Sequence, residues 1–108
     1  MYGTIGRLRI KAGMEAQLRR LLHEQASAFE TGQVPGFVGS YVYRMDADPN
    51  DYYVVAVFES REAYWANAES PEQDARYRQW LPLLEGEPEA WHDGEIVVVY
   101  APQAQTKG

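Results

Sequence analysis

Two stretches of this chain, Tyr53-Val54-Val55-Ala56-Val57-Phe58 and Ile96-Val97-Val98-Val99-Tyr100, are apolar at every position. Residues this rich in β-branched and aromatic side chains favour strands, in which successive side chains point to opposite faces. A strand with one wet face alternates apolar with polar, so an unbroken apolar run calls for cover on both sides. The helices of one small domain can pack on one side of a sheet. The other side is therefore expected to meet a second copy, giving a two-fold, face-to-face homodimer.

The remaining pattern supplies the partners of those strands. Residues 2–10 alternate loosely and hold Thr4, Ile5 and Ile10, a first strand that Lys11-Ala12-Gly13 ends. Met14, Leu18, Leu21, Leu22, Ala26 and Phe29 then recur at helical spacing, with Gly32 where a left-handed cap belongs. After the turn Val34-Pro35-Gly36 come two strands, residues 37–44 and 52–58, joined through the turn-forming run Asp46-Ala47-Asp48-Pro49-Asn50-Asp51. Ser60 opens one short helix as its N-cap. Ser70-Pro71-Glu72-Gln73 opens another with the residues of a capping box, and Pro82 ends it. Residues 95–100 form the last strand. The order is βαββααβ, an α+β chain with an antiparallel sheet.

The 108 residues fit one domain, residues 1–101, followed by a flexible tail at 102–108. Ten basic residues against sixteen acidic ones, scattered rather than striped, leave no electrostatic footprint for nucleic acid. No apolar run approaches a membrane span and no secretory pattern opens the chain, so a cytoplasmic location is expected. The absence of cysteine removes disulfides, thiolate nucleophiles and Cys-ligated metal sites. Two isolated histidines do not make a metal cluster either.

The opening R-L-x-I-x-x-G (Arg7, Leu8, Ile10, Gly13), the F-x-S-x-x-x-Y segment (Phe58, Ser60, Tyr64) and Ser70 three residues beyond Asn67 resemble the antibiotic biosynthesis monooxygenase family over residues 2–100. The resemblance implies a ferredoxin-like protomer whose sheets pair into a dimeric α/β barrel. One branch of the family degrades haem with a strand-one Asn, a Trp on the helix after the third strand and a His ten residues later. Aligned without gaps from Phe58 and Ser60, those positions are Gly6, Asn67 and Tyr77 here, so all three are lost. A tyrosine can ligate haem iron, which keeps haem as a lesser alternative. The other well-known branch resembles monooxygenases that oxidise quinols or polycyclic phenols with dioxygen and no cofactor. That branch requires a dry apolar pocket and polar groups that orient and stabilise a phenolate.

The expected site lies on the two short helices. Tyr64, Asn67 and Ala68 share one face of the first, which makes Asn67 the polar group on an apolar face and the candidate that orients a substrate. A capping amide is its bland reading. Tyr64, Trp65, Tyr77 and Trp80 are candidate pocket walls or ordinary core. Arg76 is a candidate anion stabiliser or a solvated surface group. His23 falls opposite the apolar stripe and His92 in a turn, so neither is favoured as a base. The expected function is oxidation of a small aromatic hydroxyl compound with dioxygen, without cofactor; a non-catalytic binding or sensing dimer on the same fold is the alternative.

Overall fold

The computed structural model describes residues 1–102. Its elements are β1 (Tyr2–Arg9), α1 (Glu15–Glu30), β2 (Phe37–Arg44), β3 (Asp51–Phe58), α2 (Arg61–Ala68), α3 (Pro71–Arg78), a 3-10 turn (Leu81–Leu83) and β4 (His92–Glu95). The four strands form one antiparallel sheet in the order β2-β3-β1-β4. This is the ferredoxin-like α+β arrangement, and the expected tail falls mostly on residues 103–108, outside the described residues.

The helices cover one face of the sheet. Leu18 and Leu21 of α1 bury against Leu8, Ile10 and Tyr52 of the sheet and against Leu83 and Leu84, with Met14, Leu22, Trp80 and Trp91 packed around them. Removing these side chains from water is the main stabilising term of so small a core, and the i, i+3, i+4 spacing of α1 is what aligns them. Ser60 caps α2 by accepting a hydrogen bond from the Ala63 backbone N–H at 3.0 Å. Ser70 caps α3 in the same way, accepting from Gln73 N–H at 3.1 Å. The expected capping box forms only by half: the Gln73 side chain turns to Asn67 and Arg76, and the Ser70 N–H bonds the Asn67 carbonyl instead.

The last strand differs from its expectation. β4 is His92–Glu95, not residues 95–100. The ladder runs from Ile5↔His92 to Tyr2↔Glu95 and closes with the Ile96 N–H on the Met1 carbonyl at 2.9 Å. His92-Asp93-Gly94-Glu95 has no apolar member, so side-chain pattern cannot reveal it, whereas backbone pairing needs no apolar side chain. The apolar run expected to be the last strand lies beyond the ladder, with Val97 at 86% and Tyr100 at 92% exposure.

The face of the sheet turned away from the helices carries Ile5, Arg7, Arg9, Tyr53 and Val55 by strand alternation, with Tyr41 and Tyr43 beside them on β2. Both arginines find acids within the chain. Arg7 makes a fork onto buried Asp51 (2.8 and 3.0 Å) and reaches Glu89 at 3.2 Å; Arg9 pairs with Asp48 at 3.0 Å. Apart from exposed His92, which the register sets beside Ile5 on this face, the rest is apolar and open, Tyr41 at 69% and Ile5 at 47% exposure.

Candidate functional site

α2 leaves the sheet at Ser60 and crosses the turn Val34-Pro35-Gly36, with Gly36 at φ +75°. A methyl on Gly36 would sit 2.5 Å from the Ala63 side chain, so both the left-handed backbone and the close approach require glycine there. This close passage forms one wall of a crevice of about 680 Å³, open on one side, lined on its apolar wall by Val34, Pro35, Ala63 and Ala66. Asn67, Ser70 and Arg76 form the polar wall, and Glu59 and Glu72 also line it.

Asn67 and Arg76 meet there. The Arg76 Nη2 donates to Asn67 Oδ1 at 3.2 Å, its Nε donates to Gln73 Oε1 at 3.1 Å, and Asn67 Nδ2 reaches the same Gln73 oxygen at 3.4 Å. The guanidinium lies over the Phe29 ring, 4.9 Å from its centroid, a cation–π contact that fixes its plane. The Asn67 backbone carbonyl also accepts from Ser70 Oγ at 2.8 Å, which joins the end of α2 to the cap of α3. Spacing made Asn67 and Arg76 separate candidates; the tertiary structure makes them one hydrogen-bonded pair.

The four aromatic candidates lie elsewhere. Tyr64 points to β4, where its hydroxyl donates to Asp93 Oδ1 at 2.8 Å, and Thr4 Oγ1 donates to the same oxygen at 2.7 Å. Burial, and after it the bond to Asp93, push the Tyr64 phenol up to about 12. Trp65 stands edge-on to Tyr64 with ring centroids 5.1 Å apart and is exposed. Trp80 donates its indole N–H to Gln25 Oε1 at 3.1 Å and packs on the core. Tyr77 is half-buried, and burial raises its pKa while the neighbouring Trp91 indole works against that. None of these four lines the crevice. His23 is exposed on α1 and His92 is exposed on β4.

Sequence reasoning missed Gln73, which bridges Asn67 and Arg76, and the partners of the displaced aromatics, Asp93, Trp91 and Gln25. Trp91 lays its ring on Gly6: a methyl there would come within 2.3 Å of two ring carbons. The one signal that could have pointed to it is Gly6 itself, a bare strand position facing the helices. The tryptophan thus fills the space over strand one at the position where the haem-degrading pattern places an asparagine.

A family model described as antibiotic biosynthesis monooxygenase matches residues 1–79. No curated protein matches the chain. Among solved structures, a candidate antibiotic biosynthesis monooxygenase from Chloroflexus aurantiacus is similar at 25% identity, covering 93% of this chain and 96% of its own, with a TM-score of 0.71. A candidate of the same description from Deinococcus radiodurans has 19% identity, coverage of 96% and 100%, and a TM-score of 0.75. A single-site variant of SnoaB, a cofactor-independent oxygenase from Streptomyces nogalater, has 17% identity, coverage of 91% and 94%, and a TM-score of 0.74.

Proposed function

Because the chain belongs to the antibiotic biosynthesis monooxygenase family, we propose that it oxidises a small aromatic hydroxyl compound with dioxygen and no cofactor. The observation that carries this reading is the Asn67–Arg76 pair on the wall of the crevice. A phenol reacts with dioxygen through its electron-rich phenolate, and the Asn67 amide N–H, oriented by its bond to Arg76, can hydrogen-bond that anion. The Asn67 amide can donate to or accept from the substrate hydroxyl and fix its orientation. One oxygen atom enters the ring, the ring gives up the electrons, and the second oxygen leaves as water. Tyr64, Trp65, Tyr77 and Trp80 act in this reading through the packing of the two helices rather than as crevice walls.

Oxygen uptake measured with a panel of quinols and anthrone-type phenols tests the activity. Uptake that Asn67→Ala abolishes supports it; no uptake with any member of the panel sinks it. One observation favours the non-catalytic alternative: the crevice is open on one side, short of the enclosure that keeps water from a reactive intermediate. A ligand that raises the melting temperature without consuming oxygen would decide for binding alone.

We also propose that the protein works as a homodimer through the open face of the sheet and the uncovered apolar run that follows β4. The exposed parts of Ile5, Tyr41 and Tyr43 on that face come to roughly 400 Å² at ordinary residue areas, and the uncovered run 97–100 that continues beyond the edge strand β4 brings the exposed apolar surface to roughly 900 Å². That is close to the ~800 Å² each partner contributes to a standard interface. Sedimentation of the wild type as a dimer and of Tyr41→Glu with Val98→Lys as a monomer supports the assignment; a monomeric wild type removes it.

A further inference from the structure

We infer that the crevice receives a singly charged carboxylate attached to an apolar ring, with Arg76 as the partner of the carboxylate. This rests on reading the crevice as the ligand site and adds the chemical class of what it holds. Three arginines are half-buried among the described residues: Arg7, Arg9 and Arg76. Arg7 and Arg9 are each matched by carboxylates within 3.2 Å. Arg76 has no carboxylate within salt-bridge distance among the described residues, although the chain carries a net charge of −6 and Glu59 and Glu72 line the same crevice.

Its neighbours are neutral oxygens, Asn67 Oδ1 and Gln73 Oε1, which take Nη2 and Nε. Holding the guanidinium with amides keeps its charge unspent, because an amide oxygen orients a cation without neutralising it. The amides accept from Arg76 through their oxygens, so their NH₂ groups are left as donors. Asn67 Nδ2 makes only the 3.4 Å contact to Gln73. Arg76 Nη1 makes no hydrogen bond among the described residues. A carboxylate presented to this corner therefore meets a fixed cation and amide N–H groups together, while Val34, Pro35, Ala63 and Ala66 offer the apolar wall for the body of the ligand. Glu59 and Glu72 set the limit on charge: they disfavour a phosphate or other dianion by repulsion and leave a single negative charge as the best match.

Calorimetric titration with naphthoate, naphthamide and naphthyl phosphate tests this on the full chain. Naphthoate is expected to bind roughly tenfold or more tightly than naphthamide, the scale of one charge-assisted hydrogen bond at a half-wet site. The phosphate should bind more weakly than the carboxylate. Arg76→Gln should remove the preference for naphthoate, and Arg76→Lys should retain part of it. Equal affinity for the acid and the amide, tighter binding of the phosphate, absence of binding by all three, or a preference that survives Arg76→Gln would each overturn the inference. Should Arg76→Gln not fold, the wild type decides alone: naphthoate must shift the side-chain amide resonances of Asn67 and Gln73 and the Nε–H of Arg76, and shifts confined to other residues refute the site. Naphthoate has no hydroxyl to oxidise, so these outcomes are independent of oxygen uptake. Loss of uptake sinks the oxygenase reading alone, and loss of the acid preference sinks this one alone.

Discussion

Adding one methyl group at Gly6 probes the packing that fills the helix side of the sheet. In Gly6→Ala the new carbon would lie 2.3 Å from Cε3 and Cζ3 of Trp91 and 2.7 Å from Cδ2, so something must move. Two responses compete. If the ring stays, the strand and helices shift around it, an overpacking cost of about 1–3 kcal/mol. If the ring swings out, a half-buried tryptophan gives up on the order of 100 Å² of packed surface, about 2.5 kcal/mol at ~25 cal/mol/Å². The cheaper response sets the cost, and the lower backbone entropy of alanine in a strand returns about 0.5–1 kcal/mol.

The net expectation is a loss of up to about 2 kcal/mol, a melting temperature lower by up to roughly 9 °C for a domain near 100 residues. Thermal unfolding followed by circular dichroism at one fixed protein concentration measures it. The decisive arm is the same substitution in a Trp91→Ala background, where the three closest contacts of the methyl are gone and the penalty should shrink or reverse sign. An equal effect of Gly6→Ala with and without the tryptophan would refute the placement of Trp91 on strand one.

Two further tests address the caps and the titrating groups. Ser60→Ala removes the acceptor of the Ala63 N–H and should cost about 1 kcal/mol, read as a lower denaturant midpoint at an unchanged slope; an unchanged midpoint would mean α2 does not need its cap. Tyr64 keeps its proton in the fold up to about 12, whereas an unfolded phenol loses it near ~10. Between those values the unfolded state binds fewer protons, so stability is fully present below about pH 10 and is lost as pH rises through the folded value. Tyr64→Phe should remove that alkaline loss; an identical high-pH profile in both proteins rejects the account from burial and Asp93. On the acid side the sign reverses. Glu15 is held low by its hydrogen bond to Arg19 and by Arg44, and Asp48 by the Asn50 N–H and Arg9. Their contributions are present above the ordinary carboxylate range and fade as pH falls through the lowered values.

What the amino-acid order determined by itself is local. The stripe from Met14 to Phe29, the serines at 60 and 70, Pro71 at a helix start and the aromatic and β-branched density of residues 37–44 and 52–58 each act over a few residues. They suffice to specify βαββααβ, and with it the ferredoxin-like class. Helical spacing singles out Asn67 as a lone amide beside Tyr64 and Ala68, whereas the part of α2 that lines the crevice is Ala63, Ala66 and Asn67, a grouping that packing against residues 33–36 decides. The tertiary structure decided what depends on approach between distant segments. Asn67 and Arg76 share a crevice because α2 and α3 fold back across the Val34-Pro35-Gly36 turn. Tyr64 and Tyr77 leave that crevice because Asp93 and Trp91, from the far end of the chain, claim them. β4 was invisible for the same reason. Strand pairing is made by backbone N–H and C=O groups that every residue carries, so four polar residues can complete the sheet while the apolar run beside them stays uncovered.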